Sequence, residues 1–244
     1  MNFNFKYYIV ILIATLILAC DRDETTIDTK YIIKNYIGAV SGGAGFPNSM
    51  RLQIEFPDHE YPVQVDIQRP NRLRTAGGEK YIMVFDGKQA GYLKGAPGKE
   101  GRTQGSKLVP QEEWKDFEVD MAWYMPAFLD FPTTFSGTDT IDGSGVYKLE
   151  TVLPLGGKMQ YFIGQQNFQI KKITAEVEVG GKKYFPHREF SDYQTTGGFH
   201  FPRAFNYSYR EEQGPLAKIL SIEFNAPFPE NHFSLPAIAQ DTSQ

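Results

Sequence analysis

The sequence predicts an α+β domain built on one antiparallel sheet, with two helices laid against it. Three observations predict it. Over most of the chain, short runs alternate apolar and polar residues and are divided by glycine- or proline-containing turns. Two stretches, residues 28–40 and 110–125, carry their apolar residues at helical spacing instead. Within one strand-like run the alternation slips by a residue at Lys171-Lys172, the mark of a bulge or bend that curves a sheet.

The start of the 244-residue chain reads as a targeting segment rather than as fold. Lys6 precedes an uncharged apolar run that ends Leu16-Ile17-Leu18-Ala19-Cys20. A basic residue, a short apolar core and small residues at the cut make a secretory signal, too short for the roughly twenty residues of a membrane span. Cys20, the only cysteine, stands where a bacterial lipobox places its lipidated residue. Left unmodified, it would be an unpaired thiol on an exported protein. The organisation expected is a signal over 1–19, a polar tether with lipidated Cys20 over 20–27, one domain over 28–236 and a polar tail over 237–244. Two or three acyl chains anchor nearly permanently where one is marginal, at about 0.8 kcal/mol per buried CH₂. Asp21-Arg22-Asp23-Glu24 fits inner-membrane retention, surface export or a solvated spacer, and leaves the membrane and leaflet open.

A lone cysteine excludes internal disulfides and cysteine-based zinc sites, so stability must come from burial. A net charge of −4 without a basic cluster excludes nucleic acid as a partner.

The elements follow in order. Asp28 can cap a helix whose stripe is Ile32, Ile33, Tyr36, Ile37 and Val40, and Gly42-Gly43 stops it. Leu52, Ile54 and Phe56 share one face of a strand over 49–56. Val63, Val65 and Ile67 alternate with Gln64, Asp66 and Gln68, giving one apolar and one wet face. Arg69-Pro70-Asn71 breaks that run, because proline removes a ladder donor. Leu73, Arg74 and Thr75 lead to a Gly77-Gly78 turn, and a strand apolar on both faces follows (Tyr81, Met83 and Phe85 against Ile82 and Val84). Asp86-Gly87-Lys88 makes the next turn, and residues 95–105 are a glycine-rich polar loop.

Pro110 opens the second helix in a favoured first-turn position, with Glu112 and Glu113 near its positive end. Trp114, Phe117, Met121 and Tyr124 lie along it and Pro126 ends it, while Trp123, Met125, Phe128, Leu129 and Phe131 widen the apolar surface. Such density suits either a pliable lid or a core-packed helix. From Gly145 the chain is nearly all strand, with turns at Gly156-Gly157, near Asn167, and at Gly180-Gly181 and Gly197-Gly198. Phe199, Phe201, Phe205, Tyr207 and Tyr209 share a face with Arg203, and Leu220, Ile222 and Phe224 form the last strand.

Arg69-Pro70-Asn71 followed by Val84-Phe85-Asp86-Gly87-Lys88 resembles the LolA/LolB family of lipoprotein carriers. The series Asp192-Tyr193, Gly198, Phe201-Pro202-Arg203 and Phe233-Ser234-Leu235-Pro236 is similar to the C-terminal half of that superfamily. The resemblance covers roughly 28–236. It departs after Asp-Gly-Lys, where the family often has tryptophan and this chain has Gly91-Tyr92. The 95–105 loop also lacks the exposed apolar tip of the anchored receptor member. The resemblance implies an unclosed antiparallel β-barrel, a half-barrel, with helices covering an apolar cavity. It implies that Arg69 reaches the lid helices and holds them shut, with Trp114, Phe117, Met121, Trp123, Tyr124 and Phe128 around the cavity. It also implies acyl chains of lipoproteins or lipids as partners, and the lipoprotein-sorting machinery.

No catalytic constellation is visible: no Gly-x-Ser-x-Gly elbow, no His-Glu-x-x-His, no phosphate loop. His59, His187, His200 and His232 are scattered, and Asp139 and Asp142 do not make a calcium loop. No enzyme, cofactor or metal is expected, and the domain should be a monomer. The main expectation is a lipid-anchored carrier or acceptor of acyl chains. An anchored interaction scaffold with a filled core, and a lipid or glycan hydrolase, stay as alternatives.

Overall fold

The computed structural model describes residues 27–78, 81–94, 107–179, 182–208 and 214–235. The signal, Cys20, the tether to residue 26, the 95–105 loop, the Gly180-Gly181 turn, Tyr209, Pro236 and the C-terminal tail lie outside them.

Helix α1 (Thr29–Ser41) forms where Asp28 accepts a hydrogen bond from the Lys30 N–H, satisfying one orphan donor. It ends where Gly42 turns left-handed at φ 59° and returns its N–H to the Gly38 carbonyl. Strands β1 (Ser49–Glu55), β2 (Val63–Gln68), β3 (Arg72–Gly77), β4 (Tyr81–Phe85), β5 (Ala90–Lys94) and β6 (Lys107–Leu108) make an antiparallel meander. A 3₁₀ turn (Gln111–Glu113), helix α2 (Trp114–Ala122) and a second 3₁₀ turn (Ala127–Leu129) follow. The second meander comprises β7 (Thr133–Ile141), β8 (Ser144–Val152), β9 (Lys158–Gly164), β10 (Ile170–Val179), β11 (Lys182–Tyr184), β12 (His187–Thr196), β13 (Phe199–Ser208) and β14 (Leu216–Phe224).

The two meanders join through β1 and β14 into one 14-stranded sheet, ordered β6-β5-β4-β3-β2-β1-β14-β13-β12-β10-β9-β8-β7 with β11 paired to β10. It is the curved, unclosed half-barrel. Its edges among the described residues are β6 and β7, and these are the strands the α2 segment connects. The connection therefore crosses the hollow side from one edge to the other. No helix among the described residues is long and apolar enough to cross a membrane.

Curvature comes from register shifts. One falls between Ile170 and Lys172 opposite β9, at the slip read from sequence. Others lie at Phe135/Gly137 and Ile82/Met83. A fourth sits where Gln53 faces Ser221 but Ile54 faces Ile219. Leu220 is the extra residue there, which leaves it 49% exposed while Ala217 and Ile219 are buried. It does not join Ile222 and Phe224 against the core.

Val63, Val65 and Ile67 face the hollow and are buried, as their alternation requires. The opposite face of β2 is not uniformly wet. Asp66 is fully buried, accepting from Arg51 Nε at 2.9 Å and Gln64 Nε2 at 2.9 Å, and sharing a hydrogen bond with His232 Nε2 at 2.7 Å. The segment after β14 causes this by running back over the outer face. The Ser49 hydroxyl donates to the Ala226 carbonyl, Phe228 lies under the Arg51 guanidinium, and Leu235 closes on Gly91. Val84, also fully buried on that outer face, explains why β4 is apolar on both sides.

Two boundaries shift. Pro110 precedes a 3₁₀ turn, and the α-helix proper starts at Trp114 and ends at Ala122. The strand-rich half begins at Thr133 rather than Gly145: β7 is an edge strand rich in β-branched threonine and poor in apolar residues.

Candidate ligand-binding site

The segment that bridges the sheet edges crosses the hollow, and its residues define the site. The Trp114 indole N–H donates to the Val109 carbonyl at 2.8 Å, which fixes the start of α2. Phe117 meets Tyr92 edge-on, and Met121 is fully buried. Phe128 stands edge-on to Tyr161 (4.9 Å) and to Tyr36 of α1 (5.0 Å). Tyr161 rises from β9 into the hollow, where its hydroxyl accepts from the Ala127 N–H at 2.9 Å and donates to the Ala122 carbonyl at 3.4 Å. One buried phenol thus pins both ends of the turn that follows α2. Burial drives its pKa far above the usual tyrosine value, so it stays a neutral donor and acceptor.

A cavity flanks α2 on each side. The larger, about 480 Å³, lies between Asp116, Val119, Asp120 and Trp123 of the bridge and Val177, Pro186, Arg188 and Tyr207 of the second meander. The smaller, about 290 Å³, lies between Asp120 and Tyr124 and the first meander's Val63, Val65, Leu73 and Met83. The larger falls in the range of roughly 300–1,000 Å³ usual for small-molecule sites. Asp120, Arg188 and Tyr207 line both, so they form the divide.

That divide is charged. Arg188 stands opposite Ile173 on one side and Tyr207 on the other, on the hollow face of the sheet. Its guanidinium sits over three rings, at 4.4 Å from Tyr124, 4.8 Å from Phe205 and 5.0 Å from Trp123. Across from it, burial pushes the Asp120 carboxyl up to about 6, opposed by the Arg188 charge and reinforced by Asp116. Two residues earlier on the helix Glu118 is fully buried, and burial pushes it up to about 7 against a hydrogen bond from the Leu155 N–H. Asp116 is raised as well, chiefly by desolvation.

At one end of the half-barrel the Arg-Pro-Asn and Asp-Gly-Lys turns lie side by side. Asn71 Nδ2 donates to the Gly87 carbonyl at 3.2 Å. Gly87 is left-handed at φ 95°, and a Cβ there would stand 2.6 Å from Asn71 Oδ1. Asp86 Oδ1 accepts from the Lys88 and Gln89 N–H groups. The paired motif is thus one joint between the β2–β3 and β4–β5 turns. From it Arg69 extends to the end of the bridge, donating to both carboxylate oxygens of Asp130 and to the Leu129 carbonyl.

The residues expected around the cavity divide into two groups. Trp123 and Tyr124 line the cavities, whereas Phe117, Met121 and Phe128 turn into the core and Trp114 is half-buried at the helix start. Sequence reasoning missed Asp120, Tyr161, Arg188 and the partner Asp130. A charge interrupting an apolar face was the available signal for Asp120, and nothing marked the others.

No family model matches the sequence, and no curated protein matches it. Solved structures do. A LolA superfamily protein from Nitrosomonas europaea matches with a TM-score of 0.55 at 13% identity, over 85% of this chain and 98% of that one. A Vibrio parahaemolyticus domain named for outer membrane lipoprotein sorting matches with a TM-score of 0.50 at 9% identity, over 83% of this chain and 94% of that one. The chain has the LolA-type fold.

Proposed function

We propose that this chain, a LolA-type half-barrel, binds acyl chains of lipids or lipoproteins beside α2 and passes them on, tethered to a membrane through Cys20. The observation that carries the reading is the pair of cavities flanking the bridge, since a hollow packed solid would leave an acyl chain no place. Sixteen methylenes moved out of water gain on the order of 12 kcal/mol before ordering costs, so uptake is easy and release is the step that needs machinery. Arg69 supplies a candidate: its charge holds the far end of the bridge, and a ligand that lifts the bridge must leave two charges poorly paired. Two similar solved folds belong to proteins named for LolA and for outer membrane lipoprotein sorting, which favours lipid cargo over a catalytic role.

A second reading has its own observation. Phe117, Met121 and Phe128 fill the middle of the hollow, as an anchored scaffold without a ligand would require. Native mass spectrometry of the gently purified protein, expressed in a bacterium that exports it, decides between them. Co-purifying lipid supports the carrier. A ligand-free protein that also ignores fluorescent fatty acids supports the scaffold.

A further inference from the structure

We infer that the divide between the two cavities is a receptor for the anionic head of an acyl amphiphile, with the Arg188 guanidinium as its anchor. The inference rests on the acyl-binding reading above and names the ligand class that reading leaves open.

Three features of Arg188 converge on it. It stands on the hollow face of the sheet, in a row with Ile173 and Tyr207, where an apolar residue would be the ordinary choice. Its Nη1 is buried without a hydrogen-bond partner, and no ion pair to Arg188 forms among the described residues. A buried donor left unmade costs free energy, and an unpaired guanidinium more so, unless a function keeps it. Its neighbours are the ring faces of Trp123, Tyr124 and Phe205, which hold the guanidinium in place without pairing its charge with an anion.

Position does the rest. Arg188 lines both cavities, and each offers an apolar stretch of wall beside its polar residues: Val119, Val177 and Pro186 in one, Val63, Val65 and Leu73 in the other. An amphiphile with its head at the divide can lay a tail along either flank of α2. The planar fork of a guanidinium matches the paired oxygens of a carboxylate or phosphate. Asp120, on the facing helix, is the native competitor. It lies near enough to feel the Arg188 charge, yet among the described residues no ion pair joins the two, so an incoming anion has donors to meet. The ionisable groups facing this point are Asp116, Asp120 and Tyr124 from the bridge, His187 and Arg188 from β12, Tyr81 from β4, Tyr184 from β11, Tyr207 from β13, and Asp58 and His59 from the β1–β2 turn, where Asp58 is held by the Tyr207 hydroxyl at 2.9 Å.

The test is displacement of a neutral fluorescent probe from the purified protein by tetradecanoate, tetradecyl phosphate, tetradecanol and inorganic phosphate. Wild type should bind the two amphiphilic anions on the order of tenfold more tightly than the alcohol, and inorganic phosphate weakly. A larger effect for one anion identifies the head. Arg188→Gln should erase the advantage of both anions over the alcohol. Asp120→Asn should widen the advantage of the anions over the alcohol. Equal binding of anions and alcohol by wild type overturns the head receptor and leaves acyl binding standing. No binding of any amphiphile overturns both. Should Arg188→Gln fail to fold, the wild-type preference and the Asp120→Asn shift still decide.

Discussion

Arg69 and Asp130 form a two-pronged ion pair, Nε to Oδ2 at 2.8 Å and Nη2 to Oδ1 at 2.6 Å, with their side chains only 20% and 17% exposed. It joins the end of β2 to the end of the bridge and is the one such pair between sheet and bridge among the described residues. Removing one partner leaves the other half-buried and unpaired, so Arg69→Leu should lower stability by about 1–3 kcal/mol. Hydrogen exchange should quicken around 127–131 without melting the sheet. In the carrier reading the same change should trap bound lipid and slow its hand-off to acceptor vesicles. Transfer at the wild-type rate would remove Arg69 from the mechanism.

Tyr161→Phe deletes one hydroxyl that serves two backbone groups, the Ala127 N–H and the Ala122 carbonyl. The ring stays, so packing against Phe128 is kept, and the loss is that of a buried donor left unsatisfied, about 1–3 kcal/mol. Urea denaturation should show a lower midpoint with an unchanged slope. An unchanged midpoint would mean that the turn after α2 finds other partners.

Much of this architecture can be read from residue order because it depends on neighbours in sequence. The burial of Val63, Val65 and Ile67 follows from period two, the end of α1 from Gly42, and the bend in β10 from the slip at Lys171-Lys172. What stays hidden depends on distant partners. His187, Arg188 and Glu189 are three polar residues in a row, so alternation cannot say which turns inward; only the pairing with Ile173 and Tyr207 does. Asp130 lies 61 residues from Arg69, and Asp66 is buried by a segment that begins far along the chain at Ala226. Strand β7 escapes because an edge needs few apolar residues, and the inversion at Leu220 because the bulge lies between strands that meet only in the fold.

Gly87→Ala tests the joint formed by the two motif turns. The new methyl would meet Asn71 Oδ1 at 2.6 Å and would hold a left-handed conformation that side chains disfavour. The cost should be about 1–3 kcal/mol. In an Asn71→Ala background the steric part disappears and the backbone part remains, so the two changes should be less than additive. Strict additivity, measured by a double-mutant cycle, would show that the turns do not act as a unit.

Glu118 makes stability depend on pH in a direction opposite to that of a paired carboxylate. Burial raises it from the usual 4.5 to about 7, and the Leu155 N–H offsets only part of that rise. Between those two values the folded chain holds a proton that the unfolded chain has released. The stabilisation is therefore fully present below about pH 4.5 and is lost as pH rises through about 7. Integrated over the shift, it amounts to roughly 3 kcal/mol. Glu118→Gln keeps an acceptor for the Leu155 N–H and removes the ionisation. The variant should match wild type at pH 4.5 and exceed it at pH 8 by up to roughly that amount. Taking the difference between the two proteins cancels the other titrating groups, Asp116 and Asp120 among them. A difference that does not grow with pH would show that water or a counter-charge reaches the Glu118 carboxylate in the folded state.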